Sequence, residues 1–291
     1  MTNNEIIKCL DKRQLSVCDN LPSEHWLSNK NNLLKFYEWN TFFRENLDMY
    51  AEIYFGFALY PYQHLELYEL NKNTLIDITG SRATAKTYII AIFAVCKASL
   101  YPNSKIVICS ATKGQSKLVV SEKIKNELMS QSPMLCREIK SIKDNQNDVI
   151  VYFRNGSTIK VLPSSENARG NRSTVTIYEE NRMIDKFIID SVISPFAIIR
   201  PVPYLKYEEY ADLVEEPTEV YISSAWYASH WMNTLIQDTY KAMLKGEKQC
   251  VIGLDYSVSL KHKIKTKNQI LKDKRKFDPI TFRIEYNNEM I

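Results

Sequence analysis

A lysine and a threonine beginning an apolar run stand at the spacing typical of a phosphate-binding loop. The stretch is DITGSRATAKTYIIAI (77–92), in which Gly80, Ala85, Lys86 and Thr87 match G-x-x-x-x-G-K-[ST] except at the second glycine. Such a loop surrounds a phosphate with backbone N–H groups and a helix N-terminus, while the lysine contacts the β- and γ-phosphates and the hydroxyl ligates Mg²⁺. The pattern predicts a nucleotide site between a strand and a helix.

Alanine at position 85 is a departure from this pattern. Glycine there usually allows a close approach to phosphate or a positive φ angle. Alanine costs little if φ is negative, and on the order of 1 kcal/mol or more if φ is positive. A plain strand-to-helix turn followed by an exposed lysine is the alternative interpretation.

An acidic pair follows a second β-rich run, TVTIYEE (174–180). At the end of a core strand, Glu179 would hold Mg²⁺ through water, and Glu180 would orient or deprotonate the attacking water. The common pair is Asp-Glu, so Glu179 is one methylene longer than usual. Two exposed glutamates at a strand end are the alternative.

Two further stretches supply groups suited to a triphosphate. In ENARGNRS, either Arg169 or Arg172 could stabilise transition-state charge, also on a neighbouring subunit, although a solvated loop would explain both. In EVYISSA, the small residues Ser223, Ser224 and Ala225 end a predicted strand, where hydroxyl groups can sense a γ-phosphate.

The elements that must position these residues alternate along the chain. Helical spacing within 22–72 is followed by helix-length segments at 86–100, 113–131, 185–199 and 227–245. The β-rich runs are 74–79, 105–111, 148–153, 157–163, 174–179, 219–225 and 249–255. This alternation predicts an α/β fold with a mostly parallel sheet covered on both faces. Asn155-Gly156 predicts an antiparallel hairpin within it.

Composition limits the class of protein. The chain has 291 residues, 45% hydrophobic and 25% charged, which is ordinary for a soluble globular protein. No apolar run has the length of a membrane span and the N-terminus lacks a secretory signal, so we expect a cytosolic protein. Six widely spaced cysteines suggest neither zinc nor a disulfide framework.

The formal net charge of +4 is unevenly distributed. Residues 261–276, KHKIKTKNQILKDKRK, contain eight lysines or arginines against one aspartate. Such a cluster could contact DNA phosphates, and its binding would weaken as salt rises. A solvated face or a mobile segment is an equally good explanation.

Taken in order, several stretches resemble the ATPase part of the large terminase subunit of tailed bacteriophages, which packages DNA into the empty capsid. The stretches are YPYQ (60–63), SRATAKT (81–87), ICSATKGQS (108–116), ARGNRSTVTIYEE (168–180), YISSA (221–225) and DPITFRIEYNNEM (278–290). The resemblance covers most of the chain from about residue 57 onward.

The resemblance implies roles for individual residues. Tyr62 and Gln63 match an adenine-recognition motif, Arg82 an early basic residue of the phosphate loop, and Arg169 the place of a trans-acting arginine finger. Catalytic roles are implied for Lys86, Glu180, Arg169 and Arg82, metal ligation for Thr87 and Glu179, and coupling for Ser223, Ser224 and Ala225. Nucleotide contacts are implied for Tyr62, Gln63, Gly80, Ser81, Arg82, Ala83, Thr84, Ala85, Lys86 and Thr87.

The resemblance also implies a RecA-like P-loop NTPase fold of the ASCE type. An N-terminal helical or lid region (1–56) would precede an ATPase core (57–260) and a basic segment that ends the domain (261–291). Expected ligands are ATP and Mg²⁺, and expected partners are double-stranded DNA, the portal protein, the small terminase subunit and further copies of the chain in a ring, with no membrane. The setting would be the cytoplasm of the infected bacterial host. Since this chain stops before the family's C-terminal nuclease domain, no nuclease activity is expected.

Other functions share some of these motifs. A superfamily-two-like helicase shares the glutamine motif, the P-loop and the SAT stretch, but it needs a second RecA-like domain, for which the 111 residues after Glu180 leave too little room. A degenerate P-loop scaffold that binds ATP or DNA without turnover is favoured by Ala85 and Glu179. A P-loop kinase is disfavoured because nothing resembles a lid over a small substrate.

Overall fold

The computed structural model describes residues 22–145, 149–201 and 214–291. Two compact units are distinguished, one ending at Asn46 and the other running from Leu47 to Ile291. The first unit contains a 3₁₀ turn, Trp26–Ser28, and helix α1, Lys30–Glu45. Helix α1 begins where the Asn29 side chain accepts a hydrogen bond from the Asn31 N–H, a common N-cap. Of the predicted N-terminal region, residues 1–21 lie outside the described residues.

The helices of the second unit largely follow the predicted segments. They are α2 Pro61–Lys72, α3 Lys86–Leu100, α4 Lys113–Leu118, α5 Pro133–Glu138, α6 Trp231–Leu244, α7 Tyr256–Lys261, α8 Lys267–Lys276 and α9 Pro279–Glu285. Shorter α-helical turns are Leu47–Met49, Met129–Gln131 and Lys186–Ile188. The π-helical segments are Tyr50–Tyr54, Val119–Leu128 and Ile189–Ile193. The 3₁₀ turns are Glu166–Ala168, Asn181–Met183 and Ser194–Phe196. The segment predicted over 185–199 is helical from residue 186 to residue 196, but it passes from an α-helical turn through a π segment to a 3₁₀ turn.

Eight strands form one sheet. They are β1 Leu75–Gly80, β2 Lys105–Ser110, β3 Ile139–Asp144, β4 Val149–Phe153, β5 Thr158–Pro163, β6 Val175–Glu179, β7 Thr218–Ser223 and β8 Gln249–Leu254. Their order is β3-β4-β5-β2-β6-β7-β1-β8, and of these eight only β4 runs opposite to the rest. The predicted mostly parallel sheet is confirmed, although the predicted strand at 148–153 begins one residue outside the described residues.

The hairpin predicted at Asn155-Gly156 joins β4 to β5. Gly156 has φ of 85°, and a Cβ there would lie 2.5 Å from Asn103 Oδ1. The Asn155 amide donates hydrogen bonds of 2.8 Å to the carbonyls of Ala98 and Ser99 in the last turn of α3. The turn therefore also satisfies carbonyls that a helix end leaves without partners.

Strand β1 and helix α3 form the centre of the fold. Strand β1 lies between β7 and β8, with Ile76 beside Val220 and Ile78 beside Ile222. Helix α3 is apolar around most of its circumference and ten of its residues are buried, as expected for a helix covered on all sides. Because β1, β6 and β7 are parallel neighbours, their carboxyl ends lie at one edge of the sheet, where ligands bind in open α/β folds.

Helices α7 to α9 pack together at the end of the chain. A small core of Ile270, Phe282 and Tyr286 joins α8 to α9. The Tyr286 hydroxyl donates to Asp273 Oδ2 at 2.7 Å, and Lys265 Nζ lies 2.8 Å from the same oxygen. The basic helix α8 is therefore held against α9 by this apolar core and by the polar contacts of Asp273. None of the helices in the described ranges combines the length and apolarity needed to cross a bilayer.

A carboxyl group is buried in the middle of β1. Asp77 is 1% exposed, and neither of its oxygens has a hydrogen-bond partner. Burial raises the pKa of Asp77 to about 8. The folded protein therefore retains a proton that the unfolded chain, with its ordinary pKa near 4, loses as pH rises.

We expect Asp77→Asn to stabilise the protein in a pH-dependent way. A raised folded-state pKa means that stability is full below pH ~4 and is lost as pH rises towards 8. The neutral amide avoids this loss, so the variant's advantage over wild type should grow by at least about 2 kcal/mol, or several degrees in Tm, between pH 5 and pH 8. Thermal unfolding at both pH values measures the difference. An equal Tm difference at pH 5 and pH 8 would contradict the assignment.

Candidate nucleotide site

A cavity of about 750 Å³ opens at the carboxyl edge of the sheet. It is lined by loop residues 82–87 and by Glu180, Arg182, Ser224 and Glu285. Basic and acidic groups therefore line a space large enough for a nucleotide-sized ligand.

The loop between β1 and α3 is folded tightly on itself. The Thr84 hydroxyl donates to the Ser81 carbonyl at 2.9 Å. A Cβ at Gly80 would lie 2.7 Å from Thr84 Oγ1 and 3.1 Å from Lys86 Cδ. A larger residue at position 80 would therefore force the Thr84 and Lys86 side chains to shift, in agreement with the glycine of the predicted motif.

Ala85, the departure from the motif, is in the left-handed region with φ of 57° and ψ of 30°. Ala83 also has a positive φ, of 67°. A left-handed alanine costs roughly 1–2 kcal/mol relative to an allowed right-handed conformation. The backbone therefore has the form that favours glycine, and the chain tolerates alanine at a cost.

Ala85→Gly should relieve this strain. The gain of about 1 kcal/mol or more is partly offset by about 0.4–1 kcal/mol of extra unfolded-state entropy, so we expect a small net stabilisation. Thermal unfolding should show a Tm equal to or slightly above that of wild type. Ala94→Gly, in the right-handed helix α3, is the control and should be clearly destabilised. A comparable loss of stability in both variants would contradict the left-handed assignment.

Lys86 lies against the loop that precedes it. Its ammonium group donates to the Gly80 carbonyl at 2.6 Å and the Ser81 carbonyl at 3.1 Å, and Ser224 Oγ is 3.4 Å away. Burial lowers the pKa of Lys86, while the carboxylates of Glu180 and Glu285 oppose the effect. Lys86 lines the cavity together with Arg82, Lys123 and Arg182, so the cavity offers the cationic groups that a phosphate needs.

Thr87 and Glu179 meet at the ends of α3 and β6. The Thr87 hydroxyl donates to Glu179 Oε1 at 2.8 Å. The other carboxyl oxygen, Oε2, is buried without a hydrogen-bond partner, and burial raises the pKa of Glu179 to about 7. A hydroxyl and a carboxylate with a spare oxygen are ligands that suit Mg²⁺, so the residues present fit the predicted metal.

Glu180 turns away from the strand into the cavity. Its backbone is left-handed, with φ of 50° and ψ of 49°. The Ser223 hydroxyl donates to Glu180 Oε2 at 3.2 Å, and Arg182 Nε lies 3.4 Å from the same oxygen. One oxygen is thus held by the protein while the side chain lines the cavity.

The predicted coupling residues lie directly beside these groups. Ser223 contacts Glu180, Ser224 contacts Lys86, and the carbonyl of Ala225 accepts a hydrogen bond of 3.3 Å from Arg182 Nη1. The end of β7 therefore touches both the lysine and the acidic pair. Strand β7 itself ends at Ser223, two residues earlier than predicted.

The predicted base-recognition residues lie at the start of α2. Gln63 is buried and its Oε1 accepts a 3.0 Å hydrogen bond from the Tyr60 backbone N–H. The Tyr62 hydroxyl donates to the Thr84 carbonyl at 3.2 Å and so ties α2 to the phosphate loop. Tyr60, Tyr62 and His262 form an aromatic cluster with ring centroids 5.2–6.0 Å apart.

The two upstream arginines lie apart from the cavity. Arg169 is exposed, and its Nη1 is 3.4 Å from the Ser191 carbonyl. Arg172 is also exposed and donates to the Asn171 carbonyl. Neither lines the cavity. A role for Arg169 in this chain's own site is therefore not supported, whereas a role in a neighbouring subunit stays a prediction.

Sequence reasoning missed several residues that line the site, and two of them, Arg182 and Glu285, contact the predicted groups. Arg182 lies two positions after the acidic pair, and Glu285 ends α9, more than one hundred positions later. Glu285 Oε1 lies 3.0 Å from Arg182 Nη2, and Glu285 Oε2 lies 2.9 Å from Arg82 Nε. The position of Arg182 beside the acidic pair was an available signal, and Glu285 lies within the DPITFRIEYNNEM stretch, for which no residue role was predicted.

A phosphate loop after the first core strand, with an acidic pair two strands away, defines the P-loop NTPase fold. Comparison with solved structures places the chain more narrowly, in the fold of phage large terminase ATPase domains. The Thermus phage P74-26 large terminase ATPase domain is 15% identical with a TM-score of 0.59, and the match covers 82% of this chain and 97% of that domain. The HK97 bacteriophage large terminase is 17% identical with a TM-score of 0.60, over 80% of this chain and 51% of that one.

The large terminase of a thermophilic bacteriophage is also similar, at 12% identity and a TM-score of 0.56, over 75% of this chain and 48% of that one. The chain therefore spans about half the length of the longer terminases that it matches. At these identities, the likeness establishes the fold alone. No protein-family model and no curated protein matches the sequence.

Proposed function

We propose that this chain hydrolyses ATP as the motor domain of a phage DNA-packaging terminase and drives double-stranded DNA into a procapsid. The observation that carries the proposal is the convergence of Lys86, Thr87 and Glu180 on one cavity, with Glu179 hydrogen-bonded to Thr87. Structures of the thermophilic bacteriophage's large terminase in complex with ADP and with ATP-gamma-S support nucleotide binding by a similar fold.

Each group has a distinct task in hydrolysis. Lys86 exchanges its loop carbonyls for phosphate oxygens, and the backbone N–H groups of the loop cradle the phosphates. Thr87 and Glu179 would hold Mg²⁺, which when bound supplies charge neutralisation for the β- and γ-phosphates. Glu180 accepts the proton of the attacking water. Ser223 at the end of β7, with Ser224 and Ala225 after it, senses the change, and Arg169 acts on a neighbouring subunit in a homo-oligomeric ring.

The basic residues 261–276 are suited to contact the DNA backbone. On α8, Lys267, Lys272, Lys274, Arg275 and Lys276 are all exposed. Lys274 also stands over the Phe282 ring at 5.6 Å, which fixes its stem on α9. Exposed cations on a supported helix favour phosphate contacts, which are independent of base sequence.

Within this function, the portal protein and the small terminase subunit are the protein partners, and the cytoplasm of the infected host is the setting. The fit of the structural match to one whole ATPase domain supports assigning the motor step, rather than DNA cleavage, to these residues.

The test is ATP hydrolysis with Mg²⁺ over a range of protein concentrations, with and without linear duplex DNA. Lys86→Ala protein provides the background. We expect DNA-stimulated hydrolysis that increases as subunits associate and that falls as salt rises. ATP binding without turnover above background at every concentration would replace the motor by a nucleotide-binding scaffold, which the strained Ala85 would favour.

A further inference from the structure

A single buried carboxylate links two arginines of the site. Glu285 is 7% exposed, and its Oε2 accepts from Arg82 Nε at 2.9 Å while its Oε1 pairs with Arg182 Nη2 at 3.0 Å. Although burial acts to raise it, Arg182 and Arg82 together hold the pKa of Glu285 below its ordinary value. The carboxylate is therefore ionised at neutral pH and both of its oxygens are engaged.

Arg182 is held on several sides. Besides Glu285, its Nη1 donates to the Ala225 carbonyl at 3.3 Å, and its guanidinium stands 4.7 Å above the Trp226 ring. Its Nε lies 3.4 Å from Glu180 Oε2, a looser contact than the 3.0 Å pair with Glu285. The guanidinium thus directs Nε towards Glu180, Nη1 towards the Ala225 carbonyl and Nη2 towards Glu285.

The distribution of the Arg182 N–H groups among several acceptors matters, because an arginine often binds one carboxylate through two parallel hydrogen bonds. If Glu285 released Nη2, Arg182 could form such a pair with Glu180. Both oxygens of Glu180 would then be engaged, one of them also by Ser223. A carboxylate held in this way is a poorer acceptor for the proton of an attacking water.

We propose that Glu285 is a positioning residue for ATP hydrolysis, which holds Arg182 so that one oxygen of Glu180 stays open to the attacking water. The inference rests on the proposed ATPase function and adds a residue from the C-terminal helix to it. Glu285 acts through Arg182 and does not itself touch the reacting atoms.

The test is a double-mutant cycle with Glu285→Gln, Arg182→Gln and the pair combined. Glu285→Gln should lower kcat about tenfold, a modest share of the ~10²–10⁴ that a general base supplies, and change KM less than about threefold. In the Arg182→Gln background the same substitution should have almost no effect, because the residue through which it acts is gone. Glu289→Gln is the matched control, since it breaks the exposed Arg283–Glu289 pair on the same segment and should leave kcat unchanged.

Thermal unfolding of every variant separates positioning from support of the fold. If Glu285→Gln unfolds, Glu285→Asp, which keeps the charge, should fold and retain more activity than Arg182→Gln. The positioning role is refuted if Glu285→Gln and Glu285→Asp both unfold, or if Glu285→Gln has the same kcat as Glu289→Gln. It is also refuted if Glu285→Gln lowers kcat by the same factor in the Arg182→Gln background as in wild type. In each of these cases the wild-type protein still hydrolyses ATP, so the proposed function stands. If the wild-type protein turns over ATP no faster than Lys86→Ala, both the ATPase function and this inference are refuted.

Discussion

Replacing Lys86 by alanine is expected to weaken ATP binding at least about 100-fold. Charged hydrogen bonds contribute about 1.5–3 kcal/mol each, and the ammonium group can make two of them to the phosphates. Each 1.4 kcal/mol is about a factor of ten in affinity. Titration of a fluorescent ATP analogue in the presence of Mg²⁺ measures the loss.

The control for this substitution is Lys97→Ala. Lys97 lies near the other end of the same helix, with its ammonium 4.3 Å from the centre of the Tyr101 ring, and it does not line the cavity. It should bind the analogue with wild-type affinity. Because Lys86 also bonds the Gly80 and Ser81 carbonyls, thermal unfolding must show that Lys86→Ala is folded. A folded variant with unchanged affinity would refute the phosphate-binding role.

The parts of the fold that local patterns encode could be predicted from the sequence. Seven runs of β-forming residues became strands because each buries apolar side chains in a mostly parallel sheet. Strand β3, whose sequence is IKSIKD, was missed because it lies at the edge of the sheet, where lysines are tolerated and only Ile139 is buried. Its strand conformation is set by pairing with β4 and not by its own composition.

The same distinction applies to the site. The phosphate loop and the acidic pair were predictable because each is contiguous and ends a strand. The contact between Arg182 and Glu285 joins positions 103 residues apart, so only the packing of α9 against the sheet edge reveals it. The φ of Ala85 was also undetermined by sequence, since the residue type alone favours the right-handed region that the loop does not adopt.

Glu180→Gln is expected to separate nucleotide binding from turnover. The amide keeps an oxygen that can accept the Ser223 hydrogen bond, but it cannot accept the proton of a water molecule. Loss of a general base should lower kcat by about 10²–10⁴-fold. Removing a negative charge beside a triphosphate should leave ATP affinity unchanged or somewhat higher, since like charges repel more strongly in a partly buried site. Steady-state hydrolysis and analogue titration measure the two effects.

Glu166→Gln provides the same chemical change at an exposed position before β6, outside the cavity, and should retain wild-type kcat. Wild-type turnover by Glu180→Gln would remove this residue from the mechanism. Loss of ATP affinity together with turnover would instead assign Glu180 to binding. Lys86→Ala should lose both ATP binding and hydrolysis, whereas Glu180→Gln should bind ATP tightly without hydrolysing it. This difference would assign the lysine to the phosphates and the carboxylate to the attacking water, because a ground-state contact and a transition-state contact affect different kinetic constants.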